Sequence, residues 1–159
     1  MPILDHLEPQ AVFSYFEQLC AIPHGSGNTK AISDFLVRFA AAHHLRCIQD
    51  AHNNVIIFAP GTPGYEAAAP VVLQGHMDMV CETAPDCTKD MTREGLDLFV
   101  DGDTIGARGT TLGGDDGSPW PWRWRSWMRT TSPIPRLRSS SPSMRRPACS
   151  ARPRWMPPC

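Results

Sequence analysis

A histidine and an aspartate two residues apart follow a short apolar run near the middle of the chain. The run is residues 71–73, and the pair is His76 and Asp78. Side chains two apart in a strand point to the same face, so this pair would project together from a rigid support. An imidazole can bind Zn²⁺ through one nitrogen while a nearby carboxylate fixes the tautomer of the ring. The spacing indicates a metal site, although a surface histidine and aspartate at a strand end give the same pattern.

A second group of candidate residues is the glycine-rich, acidic stretch 109–117, which contains Asp115 and Asp116. Glycines on both sides of the aspartate pair allow unusual backbone angles and close approach to an ion or a substrate. Adjacent carboxylates tolerate one another best when a cation neutralises them. Taken alone, the stretch is equally typical of a solvated acidic turn.

Hydrophobic periodicity predicts the elements that position these residues. Residues 8–21 form one amphipathic helix, and a second begins with Asn28 as N-cap and runs to about residue 44. The loop between them carries His24, which we expect to be solvated. Short strands follow at 46–49, 54–58 and 71–80, with a hairpin at 96–107 that turns at Asp101-Gly102. This order of helices and strands is typical of an α/β domain.

Composition divides the 159 residues into two unlike parts. All 16 acidic residues lie in residues 1–117, whereas residues 118–159 hold nine arginines, nine prolines, all five tryptophans and no acid. We expect the boundary at residue 117 to separate a folded portion from a disordered tail. The six cysteines show no Cys-x-x-Cys spacing and no secretion signal precedes them, so we expect reduced thiols and a cytoplasmic protein.

Three segments in combination resemble the aminoacyl-histidine dipeptidases, the Xaa-His or cytosol non-specific dipeptidases of the M20 zinc peptidases. They are residues 22–27 (Ile-Pro-His-Gly-Ser-Gly), 74–80 (Gln-Gly-His-Met-Asp-Met-Val) and 107–117. The resemblance runs from about residue 8 to residue 117. It implies an α/β fold, the N-terminal part of a zinc-peptidase catalytic domain with a mixed sheet flanked by helices.

The resemblance also implies roles for single residues. His76 matches a metal ligand, Asp78 the catalytic carboxylate that orients it, and Asp115 the carboxylate that bridges two zinc ions, for which Co²⁺ or Mn²⁺ can substitute. The implied reaction is hydrolysis of dipeptides with a C-terminal histidine, with broader tolerance, by a homodimer with a second, lid-like domain. The general-base glutamate and the remaining ligands come later in the family and have no counterpart here, because nothing after Gly117 is acidic or histidine. We therefore expect this chain itself to be inactive.

The genetic code offers an explanation for the tail. In a shifted frame that starts at the third base of each codon, the pair Trp120-Pro121 must encode alanine and the pair Trp127-Met128 must encode aspartate. Every pair that ends in tryptophan encodes Leu, Met or Val in this frame. The whole stretch 118–128 then becomes a nearly apolar, helix-forming run. In the same frame residues 143–150 can be read Asp-Glu-Glu-Thr-Gly-Met-Leu, given a TCG serine and AGG or AGA arginines, which resembles the family's missing motif. The hypothesis is that one base was lost near the codon of Gly117.

The alternative takes the tail as it stands. Its tryptophans and arginines, concentrated in residues 119–127, resemble cationic peptides that bind anionic membranes, or a surface that stacks on single-stranded nucleic acid. We favour the first reading and expect a dipeptide as the binding partner, with neither nucleic acid nor membrane.

Overall fold

Two amphipathic helices open the chain, as the periodicity predicts. The computed structural model describes residues 2–114 and 137–141; α1 spans Gln10–Cys20 and α2 spans Lys30–Ala42. Their buried side chains recur at helical spacing: Val12, Phe16, Leu19 and Cys20 in α1, and Ile32, Ser33, Leu36, Phe39 and Ala40 in α2. The predicted N-cap is wrong by one residue. Thr29 occupies that position, and the Asn28 amide instead donates to the carbonyl oxygen of Thr92 at 2.9 Å.

The main sheet is mixed, as expected, and has the strand order β1-β2-β6-β3. Its strands are β1 (Arg46–Gln49), β2 (Val55–Ala59), β3 (Val71–Gln74) and β6 (Leu137–Ser141). The β6 backbone is antiparallel to β2 and parallel to β3, so it joins two strands that do not pair with each other. The sequence did not predict this strand. Residues 115–136 and 142–159 lie outside the described residues, as does the expected boundary at residue 117.

A separate two-stranded sheet is formed by the predicted hairpin, β4 (Leu98–Asp101) and β5 (Thr104–Ala107). Asp101 pairs with Thr104, so the two turn residues are Gly102 and Asp103 rather than Asp101 and Gly102. Gly102 has a φ of 55°, a conformation that glycine adopts at little cost.

Helix α1 takes part in two hydrophobic clusters and so connects the two sheets. Leu19 packs in the cluster that α2 forms with β2, while Phe16 and Cys20 pack with Leu98 of the hairpin. Each described cysteine is a free thiol: Cys20, Cys47, Cys81 and Cys87. Within the described ranges no helix has the length and apolar character needed to cross a membrane.

Candidate active site

The histidine and aspartate lie just beyond β3 rather than within it. The strand ends at Gln74, and His76 and Asp78 belong to an irregular segment, so the expected strand across residues 71–80 is too long. The segment is held by its two methionines, Met77 and Met79, which are 5% and 2% exposed. Met77 belongs to the hydrophobic cluster beneath α2. Core packing therefore fixes the backbone on both sides of Asp78.

His76 and Asp78 are in direct contact. The ring Nδ1 lies 2.8 Å from the main-chain oxygen of Asp78 and 3.2 Å from its carboxylate Oδ1. A carbonyl oxygen can only accept, so Nδ1 must carry the proton. Nε2 is then the nitrogen that would bind a metal ion, the arrangement in which a carboxylate orients a metal-binding histidine. The Asp78 side chain is fully buried and that of His76 is 18% exposed.

The loop between α1 and α2 lies alongside this segment. The N–H of Met79 donates to the carbonyl oxygen of His24 at 3.0 Å, and the N–H of Ser26 donates to the carbonyl oxygen of Met79 at 3.2 Å. Gly25 and Met79 thereby form an isolated parallel bridge. Two of the three segments that carry the family resemblance are joined by these bonds.

His24 is buried, contrary to the expectation of a solvated loop residue, with 6% of its surface exposed. Its Nδ1 donates to the carbonyl oxygen of Ile22 at 2.5 Å. Burial lowers the pKa of the His24 imidazole, while the hydrogen bond to Ile22 and the charge of Asp78 act in the opposite direction. His24 is thus a structural part of the loop that borders Asp78.

Ser26 is a residue that sequence reasoning missed. Its hydroxyl donates to Oδ2 of Asp78 at 2.6 Å across a separation of 52 residues. The glycines on either side of Ser26 indicated a turn, but nothing in the local pattern showed which side chain the hydroxyl would reach. The contact was detectable only through the family resemblance, which includes both segments.

The glycine-rich segment reaches the same place from the other side. Thr111 donates from its hydroxyl to the carbonyl oxygen of Val80 at 2.7 Å, and Thr83 and Thr110 form an antiparallel bridge. Gly113 has a φ of 70°, and a Cβ placed on it would lie 2.9 Å from the sulfur of Met79. All three resembling segments therefore converge on residues 79–83. Asp115, the predicted bridging ligand, lies outside the described residues.

The described residues supply one candidate ligand of a metal site. Among residues 2–114 no three His, Cys, Asp or Glu side chains are grouped so that they could hold a metal ion. His76 has the protonated Nδ1 and buried carboxylate partner that a zinc-binding histidine requires. The second predicted ligand follows directly after Gly114, where the described segment ends.

This combination of mixed sheet, flanking helices and converging loops defines the fold of a peptidase catalytic domain. A tripeptidase from Staphylococcus aureus has this fold, with a TM-score of 0.65 at 19% identity over 85% of this chain and 36% of that one. No family model matches the chain.

Two further proteins show which peptidases the chain is similar to. The chain is 37% identical over 117 residues to the cytosol non-specific dipeptidase of Escherichia coli, covering 74% of this chain and 24% of that protein. The crystal structure of the aminoacylhistidine dipeptidase from Vibrio alginolyticus superposes with a TM-score of 0.82 at 30% identity, over 87% of this chain and 28% of that one. The resemblance to this family is therefore confirmed. The chain spans about a quarter of the length of these relatives.

Proposed function

We propose that this chain corresponds to the N-terminal part of a metal-dependent dipeptidase of the cytoplasm that hydrolyses Xaa-His and related dipeptides as a homodimer. The observation that carries the proposal is the geometry of His76 and Asp78, in a chain that is 37% identical to a dipeptidase over the same region. Burying a carboxylate is costly unless the group is well partnered. A purely structural segment gains little from such a group, so the buried Asp78 beside His76 favours a functional role.

In the proposed site, His76 would hold a metal ion through Nε2 while Asp78 orients the ring, and Asp115 would supply a second carboxylate ligand. Bound zinc ions would acidify a water molecule and polarise the peptide carbonyl. The contribution of the described residues is to hold the imidazole in one tautomer and orientation. They also bury the Asp78 carboxylate. A buried carboxylate interacts more strongly with the ring than one in solvent does.

We further propose that the chain as it stands does not hydrolyse dipeptides. Residues 118–159 contain no aspartate, glutamate or histidine. The general-base glutamate that the family resemblance implies therefore has no counterpart in that part of the chain. A water molecule at the site would lack the group that accepts its proton, a contribution of typically 10²- to 10⁴-fold to the rate.

The test compares two products of the gene with an Ala-His substrate in the presence of Zn²⁺. One is the chain of 159 residues, and the other is the product obtained after one base is inserted at the Gly117 codon. We expect histidine release from the second product only, and expect His76→Ala in that product to abolish it. An inactive restored product that is folded and binds zinc would sink the dipeptidase assignment. Activity in the chain of 159 residues would disprove the proposal that this chain lacks the general base needed for hydrolysis.

A further inference from the structure

The buried carboxylate of Asp78 accepts a hydrogen bond from Ser26 with one oxygen and contacts the His76 ring with the other. One oxygen, Oδ1, faces Nδ1 of His76 at 3.2 Å, and the other, Oδ2, accepts the hydroxyl proton of Ser26 at 2.6 Å. A hydrogen bond to an ionised acceptor is shorter and stronger than one between neutral groups. The serine hydroxyl therefore restrains rotation of the carboxylate, and this rotation sets where Oδ1 points.

The position of Ser26 is itself fixed by the backbone. Its own N–H donates to the carbonyl oxygen of Met79, and the N–H of Met79 donates to the carbonyl oxygen of His24. Met79 is 2% exposed and adjoins Asp78, so the serine is aligned with a segment that packing holds in place. Ser26 itself is exposed, which means that its side chain contributes little to the core. Its clearest structural contribution is the hydrogen bond to Asp78.

We propose that Ser26 is a positioning residue for the metal site: its hydroxyl fixes the Asp78 carboxylate, whose Oδ1 lies 3.2 Å from the same His76 Nδ1 that donates to the main-chain oxygen of Asp78. The inference rests on the proposed function, because the metal site at His76 is part of that proposal. The contacts from Ser26 to Asp78 and from Asp78 to His76 are present in the structure whether or not the chain hydrolyses a dipeptide. It extends the site to a loop residue 52 positions earlier in the sequence.

The test reads the His76 tautomer directly. Long-range ¹H–¹⁵N correlation spectra of the chain of 159 residues, without metal and at a fixed pH at which the ring is neutral, report which ring nitrogen carries the proton. We expect the Nδ1–H tautomer in the unmodified chain and in Ser26→Ala, because the main-chain oxygen of Asp78 still accepts that proton. In Ser26→Ala we expect a shifted Nδ1 resonance, because the Asp78 carboxylate turns relative to the ring, and Ser26→Thr should restore the original resonance because it keeps the hydroxyl. Two tautomers in the unmodified chain, or an unchanged spectrum in Ser26→Ala, would overturn the proposal.

Thr111→Val is the matched control. It removes a hydroxyl that binds the neighbouring Val80 carbonyl and leaves the Ser26–Asp78 bond in place, so the His76 spectrum should be unchanged. A titration with Zn²⁺ of the product with the restored base is the second readout, and we expect its Ser26→Ala variant to bind about tenfold more weakly than its Ser26→Thr variant. If the restored product binds no zinc, the proposed function fails while the His76 spectra still decide the role of Ser26.

Discussion

Gly25 lies against Cys81, two residues after Met79 in the chain. A Cβ placed on Gly25 would lie 2.7 Å from Sγ of Cys81, closer than Cβ atoms approach other heavy atoms. The bridge between Gly25 and Met79 therefore depends on the absence of a side chain at residue 25. This close approach leads to the first prediction.

Gly25→Ala should displace the loop that carries Ser26, because the added methyl group meets the sulfur of Cys81. We expect a loss of stability of about 1–3 kcal/mol, typical of overpacking. Cys81→Ala removes the sulfur and leaves the cysteine Cβ at an ordinary 3.7 Å from the new methyl group, so the double variant should recover most of the loss. Urea denaturation of the four proteins of this double-mutant cycle measures the coupling; strictly additive effects would contradict the packing argument.

The turn between β1 and β2 gives a pH-dependent prediction. The side-chain and main-chain hydrogen bonds from Asn54, with a further bond from the N–H of His52, lower the pKa of Asp50. A carboxyl group with a lowered pKa in the folded state stabilises the fold above its unfolded value of 3.8, and this contribution disappears as the pH falls through the folded value.

Asp50→Ala should therefore melt a few degrees lower than the unmodified chain at pH 7, with a difference that shrinks below pH 3.8. Thermal unfolding followed by circular dichroism at several pH values measures this. Asp103→Ala, in the exposed hairpin turn, controls for the loss of one negative charge. If the difference in melting temperature grew as the pH was lowered, the predicted direction of the Asp50 contribution to stability would be wrong.

Thiol reactivity should distinguish the described cysteines. Burial, with a smaller contribution from Glu17, raises the pKa of the Cys20 thiol to about 12, whereas Cys81 is exposed. Only the thiolate reacts, so iodoacetamide at pH 8 should modify Cys81 in the folded chain and spare Cys20. Peptide mass spectrometry locates the label, and both residues should react in urea. Equal labelling of the two in the folded chain would mean that α1 is not packed as described.

The gene should reveal a shifted reading frame. Sequencing of the gene across the Gly117 codon and beyond the codon of residue 159 is expected to show one additional base and a long frame containing Asp-Glu-Glu-Thr-Gly. The position of β6 supports this expectation, since a strand between two others is usually apolar, whereas residues 138–141 are one arginine and three serines. With TCN codons, each serine pair there reads as Phe, Leu, Ile or Val in the offset frame. Independent reads that confirm the printed frame would refute the hypothesis.

The parts of the fold that the sequence predicted depend on local patterns. Both helices follow from apolar residues at helical spacing, and β1 follows from a short run bounded by the polar turn at Asp50. The contacts that sequence reasoning missed join distant segments. The hydroxyl of Ser26 reaches Asp78 across 52 residues, and the burial of His24 depends on the segment that lies alongside its loop.

The candidate site was predicted in part. The spacing of His76 and Asp78 indicated that the two side chains meet, and they do, although through an irregular segment rather than along a strand. An extended strand would have placed their Cα atoms about 6.6 Å apart, whereas the observed backbone brings Nδ1 within 2.8 Å of the carbonyl oxygen of Asp78 itself. Local turns of this kind depend on how Met77 and Met79 pack, which no short pattern specifies.

The pairing of β6 has a consequence for synthesis of the chain. Strands β2 and β3 do not pair with each other. Strand β2 pairs with β1 on one side and β6 on the other, whereas β3 joins the sheet through β6, the last strand that the structure describes. While the chain is still on the ribosome and residue 141 has not emerged, both strands expose an unpaired edge that can bind other nascent chains. Within the part of the chain that the structure describes, protection of these two edges during translation thus depends on the strand that is made last.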